Sequence, residues 1–172
     1  MQAAELEILC RKAVETLRRP GAVLLLPTET VYGLVCRAAD ETACRRLFEL
    51  KQRPADKVIG WFVSGSAMLE RCGVILDDRS RELLRRYTPG ALTIIAPTEM
   101  GTTQGFRIPD HPLIKKILGL LDEPLAQLNG EVDFYVDGGA VPEERCASTV
   151  VDATGTDLKI LRQGSVFIGR NL

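Results

Sequence analysis

Apolar residues Leu6, Leu9, Ala13 and Leu17 recur at helical steps, which predicts an amphipathic helix over residues 3–18 closed by Arg18-Arg19-Pro20-Gly21. The pattern then changes to five apolar residues in a row at 22–26, bounded by Gly21 and Pro27. A run that short reads as a strand buried on both faces, and Pro27 should end it because it cannot donate to a ladder. Polar positions follow at once: Thr28, Glu29, Thr30 and Tyr32. They lie where ligands bind in open α/β sheets, although either threonine could equally be the N-cap of a following helix.

Further along, residues 35–39 are strand-like, and Asp40 can cap a helix over 41–50 with Cys44, Leu47, Phe48 and Leu50 on its core face. Strands are expected at 58–63 and 91–96, helices at 66–71 and from Asp77 or Asp78 to Tyr87, with Thr88-Pro89-Gly90 as a breaker. Residues 101–105 read as a polar loop flanked by glycines, and 113–121 as a helix preceded by His111 as a structural residue at its start. A strand opens at Pro124-Leu125-Ala126, another spans 132–136 before the turn Asp137-Gly138-Gly139, and the last two cover 148–152 and 158–161. The later strands do not each have a helix between them. A mixed sheet with helices packed on it therefore fits better than a purely parallel one.

Composition narrows the picture. At 172 residues the chain reads as a single domain, 1–172, with 45% apolar and 26% charged residues. A net charge of −1 provides no global attraction to nucleic acid or anionic membranes. No apolar run approaches the ~20 residues needed to span a bilayer. The N-terminus lacks a signal-peptide layout, and the five scattered cysteines contain no C-x-x-C pair. A cytoplasmic location without a disulfide framework or zinc site is expected. Cys36 and Cys44 read as small core residues, and Trp61 as core rather than a stacking platform.

The candidate chemistry gathers at strand ends and loops: Thr28, Thr30, Tyr32, Lys51, Arg53, Lys57, Arg107, Ser148, Thr149 and Arg162. Lys51, Arg53 and Lys57 surround Pro54, a loop suited to an anion or a solvated basic turn. Cations and hydroxyls together suit a ligand with negative oxygens and hydrogen-bonding groups, such as a nucleotide. Neither a Walker A loop nor G-x-G-x-x-G is present. Thr28, Thr30, Lys51, Arg53 and Ser148 are expected to converge on one cavity.

Pro27-Thr28-Glu29-Thr30-Val31-Tyr32-Gly33-Leu34 resembles the opening signature of the YrdC family of threonylcarbamoyl-AMP synthases. The resemblance continues through Lys51-x-Arg53-Pro54, Lys57, Pro89-Gly90-Ala91-Leu92-Thr93, Arg107-Ile108-Pro109-Asp110-His111-Pro112, Ser148-Thr149-Val150-Val151-Asp152 and Ile160-Leu161-Arg162. It implies a twisted open mixed sheet, parallel and antiparallel, with helices packed on it. It also implies a nucleotidyltransferase that joins threonine, bicarbonate and ATP into threonylcarbamoyl-AMP, with Mg2+ on the phosphates. That product serves threonylcarbamoyladenosine modification of tRNA, together with other modification proteins. By position, Thr28, Thr30, Tyr32 and Ser148 would surround threonine. Lys51, Arg53, Lys57, Arg107, Thr149 and Arg162 would surround the nucleotide and phosphates. The resemblance names no protein nucleophile; positioning and charge stabilisation would carry the reaction. One family segment, T-S-A-N-x-S-G, has no counterpart: Gln127-Leu128-Asn129-Gly130-Glu131 leads straight to Val132. That gap predicts weaker ATP binding and leaves an alternative, a catalytically reduced paralogue that binds RNA or a nucleotide on the same basic surface.

Overall fold

A computed structural model describes residues 3–30, 32–50, 52, 59–128 and 147–169. The predicted first helix is α1 (Ala3–Leu17), burying Cys10, Ala13, Val14 and Leu17. β1 (Leu24–Leu26) stops at Pro27 as expected, and β2 (Gly33–Arg37) pairs antiparallel with it. β1 lies at the sheet edge, with Leu24 and Leu25 only half-buried, so the expectation of burial on both faces is corrected. An unbroken apolar run cannot distinguish an edge strand under a helix from a central one.

α2 (Glu41–Leu50) buries Ala43 and Leu47, with Cys44 and Phe48 partly buried, but Leu50 is 54% exposed. β3 (Gly60–Phe62), α3 (Ser66–Arg71), α4 (Asp78–Tyr87) and β4 (Leu92–Pro97) follow. Asp77 is the N-cap of α4, accepting from Ser80 N–H at 2.8 Å. Of the expected loop at 101–105, Gly101 and Thr102 do lie in the turn after β4, whereas 103–105 belong to β5 (Thr103–Arg107). Its glycine and polar residues mask a strand whose buried Gln104 amide donates to the carbonyls of Ile59 and Gly105. α5 (Pro112–Leu121) starts with Pro at its first turn, where no intrahelical N–H is needed. β6 (Leu125–Leu128), β7 (Thr149–Asp152) and β8 (Lys159–Arg162) complete the described elements. The strand expected at 132–136 and the turn at 137–139 lie outside the described residues.

Among the described residues the sheet has eight strands, in the order β1-β2-β6-β3-β5-β4-β7-β8. The β3–β5 and β4–β7 pairs are parallel and the rest antiparallel, the mixed sheet anticipated. Alternation along the strands divides the core. Val35, Phe62 and Leu125 pack under α1 and α5. Cys36 and Ala126 pack under α2, and Ile94, Phe106 and Val151 under α3 and α4. Trp61 bridges the latter two groups, as a partly buried core residue. Thr93, Ile95 and Val150 point to the opposite face from Ile94 and Val151 and are only half-buried. Helices α1 and α5 cover that face at β1, β2, β6 and β3, and the candidate site lies beside them.

Asp40 fixes the start of α2. It accepts from Ala43 N–H at 2.9 Å and from Gly21 N–H at 2.8 Å, where Gly21 turns with φ +73°. The Ala43 and then the Gly21 amide hold its carboxyl below the usual carboxylate range. Asp40→Ala is expected to destabilise the protein by about 1–2 kcal/mol near neutral pH. A depressed folded-state pKa stabilises above the unfolded value, about 3.9, and that contribution is lost as pH falls through the folded value. Thermal melts at neutral pH and in acid should therefore show the gap between wild type and variant narrowing on acidification.

Candidate functional site

The loop after β1 is shaped by its own hydroxyls. Thr30 N–H donates to Thr28 Oγ1 at 3.0 Å, and the two hydroxyls lie 2.9 Å apart. Such local side-chain to backbone bonding holds a tight turn. The next element is the strand β2, so neither threonine caps a helix. Thr28 and Thr30 are 1% and 2% exposed, and Tyr32 follows, half-buried.

Arg107, the last residue of β5, reaches this loop from the middle of the sheet. It is 1% exposed, its Nη1 donates to Thr30 Oγ1 at 3.1 Å, and its guanidinium lies 4.9 Å from the Phe62 ring centroid. Its Nε is 3.6 Å from Glu29 Oε1, an ion pair longer than a hydrogen bond. Burial pushes the Arg107 pKa down, the Glu29 charge pushes it up, and Arg162 adds a smaller downward push. Arg107 Nε and Nη2 and both Glu29 carboxylate oxygens are buried with no hydrogen-bond partner among the described residues. Leaving charged groups in that condition is costly, so their arrangement favours a ligand that answers both signs.

A second group stands across β4. Ser148, 1% exposed, shares a 2.9 Å hydrogen bond with the Thr93 hydroxyl. Arg162 Nη2 donates to Ser148 Oγ at 3.1 Å and its Nε to the Ser148 carbonyl at 3.0 Å. The Arg162 charge opposes that of Arg107 across β4. Thr149 does not join them. Its hydroxyl donates to Val166 O at 2.7 Å and accepts from Gly164 and Val166 N–H, so it holds the strap 164–166 on the face opposite Ser148. Lys51, Arg53 and Lys57 lie outside the described residues, and with them the part of the expected convergence that concerns Lys51 and Arg53.

Two members of the site, Glu29 and Thr93, are not among the candidates that the sequence pattern points to. Glu29 stands between the chosen threonines, and a carboxylate there was the available signal. Thr93 sits in mid-strand, where only the register of β4 on β7, Thr93 opposite Val150, brings it beside Ser148. Together the site offers a buried cation, a carboxylate and hydroxyls from four elements or loops. It suits a small molecule that carries negative oxygens, an amino or hydroxyl donor, and an acceptor.

A mixed sheet with this polar cluster defines an α/β protein with a buried arginine–carboxylate pair, and comparison with known proteins places it further. The family profile Sua5_yciO_yrdC, described as "Telomere recombination", matches residues 16–127. The chain is 31% identical to the threonylcarbamoyl-AMP synthase of Pyrococcus abyssi over 86% of its own length and 52% of that protein. It is 30% identical to a putative threonylcarbamoyl-AMP synthase of Mycobacterium tuberculosis (strain CDC 1551 / Oshkosh), covering 86% of this chain and 81% of the relative. Among solved structures, P. abyssi Sua5 complexed with L-threonine superposes with a TM-score of 0.82 at 30% identity, over 92% of this chain and 54% of that one. The chain belongs to the Sua5/YciO/YrdC family. It spans about half the length of the P. abyssi relative and about four-fifths of the mycobacterial one.

Proposed function

We propose that this chain forms threonylcarbamoyl-AMP from L-threonine, bicarbonate and ATP, releasing pyrophosphate. The observation that carries the reading is the buried Arg107–Glu29 pair: Arg107 Nε and Nη2 and both Glu29 oxygens have no hydrogen-bond partner among the described residues, while Arg107 Nη1 donates to Thr30. Threonine is a zwitterion with a hydroxyl, and it matches that set group for group. Its carboxylate pairs with Arg107, its amino group with Glu29, and its hydroxyl with the Thr28, Thr30 and Ser148 oxygens. The relatives' shared name supports the same substrate.

In this reading the threonine nitrogen attacks the bicarbonate carbon, water leaves, and the carbamate so formed displaces pyrophosphate from the α-phosphorus of ATP. Glu29 is the carboxylate placed to take the proton that the nitrogen must shed. Arg162, with Lys51, Arg53 and Lys57, offsets the charge that gathers on the phosphoryl oxygens. No group of three or more metal-binding side chains occurs among the described residues. The described residues do not build a cage for Mg2+, so the ion would arrive on the nucleotide's phosphates. The product then serves threonylcarbamoyl modification of tRNA with further proteins, in the cytoplasm. No helix among the described residues is long and apolar enough to cross a membrane.

Calorimetric titration tests the threonine site. L-threonine should bind, and Ser148→Ala should weaken it about 5- to 10-fold through the loss of one hydrogen bond. Equal affinity for L-threonine and L-valine would contradict a site built around hydroxyls.

A further inference from the structure

Cys36 and Cys44 take no part in the site, yet their Sγ atoms lie 3.7 Å apart. Cys36 is in mid-β2 and 0% exposed, whereas Cys44 is half-buried in the first turn of α2. Cys44 Sγ also lies 3.8 Å from the Arg37 carbonyl and 3.7 Å from the Ala38 carbonyl. The other described cysteines stand elsewhere: Cys10 is in the core with its thiol on the Leu113 carbonyl, and Cys72 is exposed at the end of α3. We propose that Cys36 and Cys44 are a peroxide-responsive dithiol that closes to a reversible disulfide joining β2 to α2.

The geometry orders the two steps. Cys44 is the thiol that solvent can reach. The hydrogen bond between the two sulfurs holds the Cys44 pKa below the usual thiol range and pushes that of Cys36 up. The thiolate is the nucleophile in such chemistry. The Cys44 thiolate attacks one peroxide oxygen and the O–O bond breaks. Cys44 becomes a sulfenic acid, and its thiol proton ends on the departing oxygen. The Cys36 sulfur then attacks the Cys44 sulfur, the S–O bond breaks, and water leaves with the Cys36 proton. Two thiols lose two electrons and the peroxide gains them. The sulfurs must close to about 2.05 Å, a side-chain movement of under ~2 Å. The bridge links residues eight apart in sequence. It is a loop closure that restricts the unfolded chain.

The test uses the full chain, reduced and then treated with hydrogen peroxide, quenched in denaturant with N-ethylmaleimide and digested. Cleavage after Arg37 separates the two cysteines, so a disulfide appears as a linked peptide pair that dithiothreitol releases. The expected result is that pair, with a melting temperature raised by roughly 5 °C. Cys72→Ser should behave identically. Cys36→Ser should leave Cys44 as a sulfenic acid trapped by dimedone, without the melting shift. Cys36 and Cys44 both alkylated after Cys72 has oxidised would overturn the proposal, as would Cys44 linked to Cys72 of another molecule.

Discussion

Arg107→Met should lower L-threonine affinity by about 100-fold or more while the chain still folds. The arginine has one hydrogen bond within the described residues, to Thr30, and two nitrogens without any. A ligand carboxylate on those nitrogens forms charge-assisted bonds worth about 1.5–3 kcal/mol each, and losing two of them exceeds 100-fold. Stability responds less because two effects oppose. Methionine spares the protein the desolvation of a fully buried guanidinium and keeps apolar contact with Phe62. Glu29, 17% exposed, loses its cation. The net expectation is a destabilisation of about 1–3 kcal/mol, largely restored in the double variant Arg107→Met/Glu29→Gln. Denaturant melts and threonine titrations of the single and double variants check both parts. Restored stability without restored binding shows that the Arg107–Glu29 pair binds the ligand rather than only holding the fold.

Gly164→Ala should be among the most destabilising exposed-strap substitutions in the chain. A Cβ at 164 would overlap Ala147 O and lie 2.5 Å from Ser148 C and from Thr149 N. All three are backbone atoms, so no side chain can swing aside. The strap must lift, which removes the three bonds to the Thr149 hydroxyl and leaves it buried without partners. The expected cost is about 3 kcal/mol, or roughly 10 °C in melting temperature for a chain of this size. Arg162 stands two residues upstream, and its two bonds to Ser148 should loosen with the strap. Threonine affinity is then expected to fall about 10-fold, in step with the stability loss. An unchanged melt measured by circular dichroism would show that the strap is not held as described.

The elements that were legible in the sequence are those set by local pattern. α1, α3 and α4 follow from apolar spacing, Ser66 and the Asp77 cap, and β1 from an apolar run stopped by Pro27. β5 was hidden because polar Gln104 and Gly105, a weak strand former, interrupt the apolar pattern between Thr103 and Phe106. The partners that satisfy Gln104, the carbonyls of Ile59 and Gly105, appear only after folding. Sheet order was equally out of reach, since β6 inserts between β2 and β3 through contacts distant in sequence. At the site, Thr28, Thr30, Arg107, Ser148 and Arg162 were recognisable as polar residues at strand ends. Thr149 adjoins Ser148 in the sequence, but period-two alternation sends neighbours on a strand to opposite faces. Glu29 and Thr93 acquire meaning only from Arg107 and Ser148, which folding brings from other strands.

The most direct measurement incubates the protein with ATP, L-threonine, bicarbonate and magnesium and follows pyrophosphate together with the threonylcarbamoyl adenylate. Pyrophosphate should appear only when threonine and bicarbonate are both present, match the adenylate in amount, and disappear in Arg107→Met. Pyrophosphate that forms without threonine, or threonine binding with no adenylate at saturating ATP, would contradict the proposed synthase.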